Sequence, residues 1–309
     1  MNEMAIPDYQ TLMRPILECL ADGEEHVLRD LIDTLSNQFQ LTDEERMLRI
    51  PSNQQTYISN RVSWARSHMR AAGLIENPRR GIARLTELGK QQLSAAPQRI
   101  TASYLRQFPS YLEFIGAGSS VDEGVTEDSI RAIIATDQTP QELIDKAYLT
   151  LKQAMIEELL EKLKACSPQF FEQVVVQLLL AMGYGGSSGR GFTTRYRSDS
   201  GVDGVIEQDK LGLEKIVVQA KRWEGTVGRP AVQGFIGSMF SYAADKGVII
   251  STSSFSRDAI DFATNLTGKK LVLIDGQRLT ELMIDHNLGV SVKKTYELKE
   301  VSNDFFEED

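Results

Sequence analysis

Along residues 1–95, apolar side chains recur every three or four positions, the period of helices that each bury one face. Leu12, Ile16 and Leu20 mark a first helix. Val27, Leu31, Ile32 and Leu35 mark a second, and Ile58, Val62, Ala65 and Met69 a third that stops at Gly73. The pattern then changes. Leu74-Ile75, the turn-like Asn77-Pro78-Arg79-Arg80-Gly81 and Ile82-Ala83-Arg84-Leu85 predict a hairpin, after which Thr86 caps a last short helix. Short amphipathic helices closed by a hairpin predict a winged-helix domain over 1–95. From 96 to 138 the pattern is irregular, with Pro97, Pro109, Gly116-Ala117-Gly118-Ser119-Ser120 and the scattered acids Asp122, Glu123, Glu127 and Asp128, so a linker with local structure is expected. Tyr104, Phe108, Tyr111 and Phe114 within it favour packing against a neighbouring domain over a surface for stacking bases.

At Thr139-Pro140-Gln141-Glu142 a capping box with proline at the first helical position starts a long helix. Its stripe is Ile144, Tyr148, Leu151, Met155, Leu159 and Leu163; it either joins domains or pairs between subunits, with too few heptads for a coiled coil. Ser167-Pro168 opens another helix, whose buried face is Phe171, Val174, Val175, Leu178, Leu179 and Met182 and which Gly183 ends. The β-branched runs Val205-Ile206 and Ile216-Val217-Val218, separated by the polar Glu207-Gln208-Asp209-Lys210-Leu211-Gly212, predict antiparallel neighbours. Helices over 229–239, 257–266 and 278–285 then alternate with strands over 247–251 and 270–274, which predicts parallel crossovers joined to the antiparallel pair. The predicted fold class is therefore α/β, with an N-terminal winged-helix domain and a mixed-sheet domain over 139–309 that includes the connecting helix.

Charge adds a function to the first domain. The 309 residues carry 34 basic and 43 acidic side chains, a net charge of -9, which argues against a basic coat over the whole surface. The sign reverses locally: residues 1–45 hold two arginines and eleven acids, whereas 46–95 hold nine basic residues and two glutamates. On the third helix the face opposite the apolar stripe carries Ser63, Arg66, Ser67 and Arg70, and the hairpin tip adds Arg79 and Arg80. A solvated helix face and an exposed turn would explain either feature singly. Their coincidence in one basic segment favours double-stranded DNA as the ligand. Cys19 and Cys166 lie far apart without cysteine or histidine at ligand spacing, so neither a disulfide framework nor a zinc site is implied. His26, His68 and His286 stand in separate contexts and suggest no triad. No signal peptide is evident and no apolar run approaches the ~20 residues of a membrane span, so a soluble cytoplasmic protein is expected.

The chemistry concentrates in the second domain. Alternation along the strand at 216–221 sets Val217, Gln219 and Lys221 on one face. Asp203 arrives from the preceding strand between Gly201 and Gly204, small residues that admit close approach of another backbone or a phosphate. A carboxylate and an amide oxygen are hard donors suited to Mg²⁺, and an ammonium beside them would face a shared phosphate. Equally, Asp203 could sit in a turn, Gln219 on an edge strand and Lys221 at a strand end with its charge in water.

Gly-Val-Asp-Gly-Val-Ile, fifteen residues between Asp203 and Gln219, and Gln-Ala-Lys-Arg-Trp together resemble the PD-(D/E)XK signature in the form carried by Mrr-type restriction endonucleases. Arg195-Tyr196-Arg197-Ser198-Asp199 stands where that family carries more glycines. The basic N-terminal segment is similar to the domain found with these nucleases. The resemblance implies a DNA endonuclease that restricts foreign, often methylated DNA and hydrolyses phosphodiesters with Mg²⁺, for which Mn²⁺ can substitute. It implies that Asp203 and Gln219 hold the metal, with Gln219 in the place of an acid, and that Lys221 orients the water and stabilises charge. Glu172, in a Phe-Glu pair like the family's, would reach the metal directly or through water; from the residues alone, a glutamate at the start of a helix favoured by the dipole suffices. Gln233 resembles the glutamine the family sets beside the site, and is otherwise an exposed helical residue. Ser251-Thr252-Ser253-Ser254 fits a phosphate loop, or more commonly a helix cap. Cutting both strands implies a homo-oligomer. The alternative is a winged-helix regulator whose nuclease-like domain is inactive and serves dimerisation, since a neutral Gln219 binds Mg²⁺ less strongly than an acid.

Overall fold

The computed structural model describes residues 6–52, 55–95, 97–115, 136–185, 191–193, 201–209 and 213–299. Residues 116–128, 195–199, 210–212 and 305–309 lie outside them. The described residues form two compact units that divide between Leu149 and Thr150.

The first unit runs α1 (Tyr9–Cys19), β1 (His26–Val27), α2 (Leu28–Gln38), α3 (Asp43–Met47), α4 (Tyr57–Ala71), β2 (Ile75–Glu76), β3 (Ile82–Leu85) and α5 (Glu87–Ala95). This is the winged-helix order, with a three-stranded sheet ordered β1-β3-β2. Leu12, Ile16, Ile58, Val62, Ala65 and Met69, the expected helix faces, are all buried in its core. Gly73 ends the α4 turn with a φ of +76°, a left-handed conformation that glycine adopts without strain. Val27, expected on the second helix, instead pairs with Ile82 in the two-residue strand β1 and is exposed. The short α3 went unpredicted, although Thr42 and Glu45 form a full capping box there.

Residues 97–115 do not merely connect. They form α6 (Ala102–Leu105) and α7 (Pro109–Phe114), which bury Ile100, Leu105, Phe108 and Tyr111 in the core of the first unit. The long helix α8 (Pro140–Ala165) starts as predicted: Glu142 N–H donates to Thr139 Oγ1 at 3.3 Å and Thr139 N–H donates to Glu142 Oε2 at 3.1 Å. Glu142 also accepts from Arg61 Nε of α4 at 2.7 Å, both side chains being buried, while Arg61 Nη1 donates to the Ile6 carbonyl at 2.7 Å. Removing either partner would strand a buried charge, at a cost of about 3–5 kcal/mol. Of the expected stripe on α8, Leu159 and Leu163 are buried in the second unit's core, whereas Ile144, Tyr148, Leu151 and Met155 are exposed.

In the second unit, α9 (Pro168–Ala181) is capped by Ser167, whose hydroxyl accepts from Phe170 N–H at 3.2 Å. A five-stranded sheet follows, ordered β4 (Gly191–Thr193), β5 (Gly204–Glu207), β6 (Lys215–Lys221), β7 (Lys246–Ser251) and β8 (Lys270–Ile274). β4, β5 and β6 pair antiparallel, β6, β7 and β8 parallel. The crossovers are α10 (Arg229–Ser241) and α11 (Arg257–Thr264), and α12 (Gly276–Asp285) closes the unit. Strand alternation sorts the side chains: Ile216 and Val218 pack with α9 and α12, while Val217 packs with Val232, Phe235 and Ala259 of α10 and α11. Both faces of the central strands are thus covered, and this is the mixed α/β architecture the pattern predicts. Among the described residues no helix is long and apolar enough to cross a membrane.

One buried base lies behind the basic face of α4. His68 is 1% exposed, its Nδ1 shares a 2.6 Å hydrogen bond with the Tyr111 hydroxyl, and its Nε2 has no partner. The rings of Tyr9, Trp64, Tyr111 and Phe114 surround it at centroid distances of 4.9 to 5.7 Å. Burial pushes its pKa from 6.5 down to about 4. Folded protein therefore keeps His68 neutral while unfolded chain takes up a proton near pH 6.5, so stability falls as pH drops from about 6.5 towards 4, by up to about 3 kcal/mol. Thermal unfolding followed from pH 7 to pH 4 should show a shallower loss in His68→Gln than in the parent, and parallel curves would refute this account.

Candidate active site

The residues singled out in the second domain meet at the end of β6. Asp203 immediately precedes β5 and is tied to β6 twice: its N–H donates to Val218 O at 2.8 Å, and its Oδ2 accepts from Ala220 N–H at 2.7 Å. Gln219 and Lys221 share the strand parity of Val217. Gln219 is buried, whereas Asp203 and Lys221 are half-buried.

The Gln219 amide is oriented by Gly201. Its Nε2 donates to the Gly201 carbonyl, and because a carbonyl only accepts, the other end of the amide must be the oxygen. That oxygen, Oε1, is buried and has no hydrogen-bond partner among the described residues. Gly201 is required here on two grounds: its φ is +62°, and a Cβ at this position would lie 2.9 Å from Gln219 Nε2. A buried acceptor left without a donor costs about 1–3 kcal/mol. A divalent cation would satisfy it, so the donor set fits a hard metal ion at the level of an orphaned oxygen beside a carboxylate. Among the described residues no three His, Cys, Asp or Glu side chains converge, so such an ion would draw on the amide and on at most two carboxylates.

The second carboxylate is Glu172. It stands at the fifth residue of α9, beyond the first turn, so the helix dipole that the sequence suggested as its purpose acts on it weakly. Its pKa is raised, first by burial and then by the negative charge of Asp203, which places the two carboxylates within electrostatic reach. Asp203 is raised by burial, an effect that the Ala220 N–H and the Lys221 charge oppose. Lys221 is lowered by burial, opposed by Asp203. Asp203, Lys221 and Glu172 therefore form one electrostatically coupled cluster beside Gln219, in which Asp203 and Lys221 support each other's charge against desolvation while Asp203 and burial both disfavour the charge on Glu172. Gln233 is exposed in the second turn of α10, and no hydrogen bond among the described residues ties it to the other four.

The serine-rich loop after β7 serves the backbone. Ser251 Oγ donates to Lys221 O at 3.0 Å, Thr252 Oγ1 to Trp223 O at 2.9 Å and Ser253 Oγ to Gly225 O at 2.7 Å. Its hydroxyls fix the exit of β6 where a phosphate loop was one expectation, and Ser256 caps α11. Sequence reasoning missed this clamp, the Ala220 N–H on Asp203 and the indole of Trp223, which lies 4.4 Å from Lys221 Nζ. Only Trp223 had a local signal, two residues beyond the lysine.

In the first unit, Ser63, Arg66, Ser67 and Arg70 line one face of α4 at helical spacing. Ser67 Oγ donates to Ser63 O at 3.0 Å. Arg66 is half-buried, and its Nε and Nη1 are buried without hydrogen-bond partners. Burial, and then the nearby Arg70 charge, lower its pKa. At the hairpin tip Arg79 and Arg80 are exposed, and Arg79 Nη2 donates to Glu25 at 2.8 Å.

Comparison with known proteins matches both units. Residues 163–283 fit the model of the Mrr catalytic domain, described as a restriction endonuclease, and residues 9–95 fit the Mrr N-terminal domain. The chain is 36% identical over 312 aligned positions to the type IV methyl-directed restriction enzyme EcoKMrr of Escherichia coli (strain K12), covering 98% of this chain and 100% of that protein. Among solved structures, the DNA modification-dependent restriction endonuclease AspBHI aligns at 17% identity and a TM-score of 0.37, over 70% of this chain and 56% of its own. The MspJI restriction endonuclease in complex with a 27-mer oligonucleotide aligns at 17% identity and 0.31, over 65% and 42%. The chain thus spans about half the length of those two structures, and at such scores neither alignment bears on the site.

Proposed function

Since this chain belongs to the Mrr family of restriction endonucleases, we propose that it cuts double-stranded DNA carrying methylated bases, hydrolysing phosphodiester bonds with Mg²⁺ in the cytoplasm. The observation that carries the chemical part is the buried, unpartnered Oε1 of Gln219 beside Asp203, with Glu172 and Lys221 in electrostatic contact. In this reading Asp203 and Gln219 hold the ion and Glu172 assists. Bound there, Mg²⁺ would lower the pKa of the attacking water and offset charge on the phosphate. Lys221 orients that water and stabilises the negative charge that develops on the phosphoryl oxygens. Gln233 is the site's outermost member, able to meet DNA rather than the ion. The regulator alternative has no observation in its favour.

Full-length protein should cut methylated plasmid with Mg²⁺ or Mn²⁺ and leave it intact in EDTA. Asp203→Ala and Lys221→Ala should each reduce cutting by at least about 10²-fold while remaining folded. Cleavage at the parent rate by folded Asp203→Ala would sink the metal assignment.

DNA reading is proposed for α4 and the hairpin tip, through Ser63, Arg66, Ser67, Arg70, Arg79 and Arg80. Arg66 and Arg70 support it, since their charges lie close enough to repel and a phosphate on that face would offset the repulsion. In full-length Lys221→Ala, adding Arg66→Ala and Arg70→Ala should weaken binding to a methylated duplex and reduce the slope of log K against log salt by about 2. An unchanged slope would remove α4 from the interface. The modification preference is read in the same titration by substituting an unmethylated duplex, and equal affinity would move discrimination to the cleavage step.

We further propose a homo-oligomer, because one such site cuts one strand and two related by a two-fold axis cut both. Ile144, Tyr148, Leu151 and Met155, exposed at successive turns of α8, are the proposed contact. Sedimentation should show at least two 34.5 kDa chains per particle, at least on DNA, and one chain per particle in both states would refute it.

A further inference from the structure

We propose that Trp223 is a positioning residue for Lys221, the face of its indole holding the ammonium at the mouth of the site; the inference rests on the catalytic reading of Lys221. A lysine at a strand end has four rotatable side-chain bonds and an ammonium that prefers water. Here Nζ lies 4.4 Å from the centroid of the Trp223 ring. Among the described residues no carboxylate forms an ion pair with Nζ, so the ring supplies the direct attraction and Asp203 acts at longer range. A cation over an indole is the most favourable of the aromatic pairings, and the ring face restricts where the ammonium can sit.

The turn that carries the indole is itself held. The backbone N–H of Trp223 donates to Lys221 O at 3.0 Å, the same carbonyl that Ser251 Oγ and the backbone N–H of Thr252 also reach, and Thr252 Oγ1 donates to the Trp223 carbonyl at 2.9 Å. Ser251 and Thr252 are buried, at 0% and 2% exposure. Arg222, between the two residues, turns elsewhere and donates from Nη1 to Lys164 O at 2.7 Å. A clamped turn thus presents the ring to one side chain. Trp223 is 43% exposed, which is more than core packing would leave a tryptophan.

The test uses full-length Trp223→Phe, which keeps a ring face, and two ring-less variants, Trp223→Leu and Trp223→Gln. The first readout is trace acetylation of Lys221 by acetic anhydride without DNA or metal, quantified by peptide mass spectrometry. The second is single-turnover cleavage of methylated plasmid with Mg²⁺, alongside duplex affinity at one salt concentration. The ring-less variants should label Lys221 about fivefold faster and cleave about tenfold more slowly at unchanged DNA affinity, with Trp223→Phe within about threefold of the parent in both. Parent-like labelling in a folded ring-less variant, or equal effects of Phe and Leu, would overturn the proposal. Normal cleavage by Lys221→Ala would instead overturn the catalytic reading of the lysine, and the labelling result would still decide whether the indole holds it.

Discussion

Burial at the end of β6 is the constraint around which the second unit is arranged. Taking a carboxylate and an ammonium out of water disfavours the charged form of each, and both Asp203 and Lys221 shift in that direction. The protein does not relieve this with a close ion pair. It gives Asp203 a backbone donor from Ala220, gives Lys221 an indole face, and leaves Gln219 with an oxygen that no described residue satisfies. A site left under-satisfied in this way is poised to gain from a small, hard, positively charged guest and from a phosphate beside it. The neutral glutamine belongs to the same logic. A third acid at position 219 would add a further negative charge near Asp203 and Glu172, whose pKa values are already raised.

Register transmits this constraint to the rest of the sheet. Gly204 pairs with Val218 and Gln219 with Ile249, so a slip of one residue in either ladder would send Gln219 and Lys221 into the apolar layer under α9. The covered faces prevent such a slip, because Ile216 and Val218 are committed to one layer and Val217 to the other. The hydroxyls of Ser251, Thr252 and Ser253 then hold the chain leaving β6, which a single parallel bridge between Val227 and Phe255 ties further on. Core packing here is the means by which angstrom-scale placement of three polar groups is maintained.

What could be read in the sequence was whatever declares itself by period or by local chemistry. The faces of α1, α4 and α9, the parallel crossovers and the Thr139 box were all legible because the signal spans a few adjacent residues. Strand parity put Gln219 and Lys221 on one face, and a family resemblance added Asp203 beside them. Two-residue β1 and three-residue β4 are too short to carry a pattern, and their pairing with β3 and β5 is fixed by tertiary contact. The orientation of the Gln219 amide depends on the carbonyl of Gly201, eighteen residues away, and the pairing of Arg61 with Glu142 spans eighty-one. No local rule reaches so far. Residues 97–115 looked like a connection because prolines and aromatics interrupt their period, yet those same aromatics complete a core begun before them.

That completion bears on how such proteins could exchange specificities. Arg61 sits in α4 between residues proposed to face DNA and the buried core, but the carboxylate that neutralises it belongs to Glu142, and the hydroxyl beside His68 belongs to Tyr111. Both lie downstream of residue 95, where the match to the Mrr N-terminal domain stops. A recombination event that swapped only the matched segment would confront the recipient's Glu142 with whatever the donor carried at position 61. Unless that residue was also basic, a buried negative charge would be stranded. Domains of this architecture should therefore travel between lineages with their collar of downstream helices, or else diverge by substitution at the surface of α4 alone.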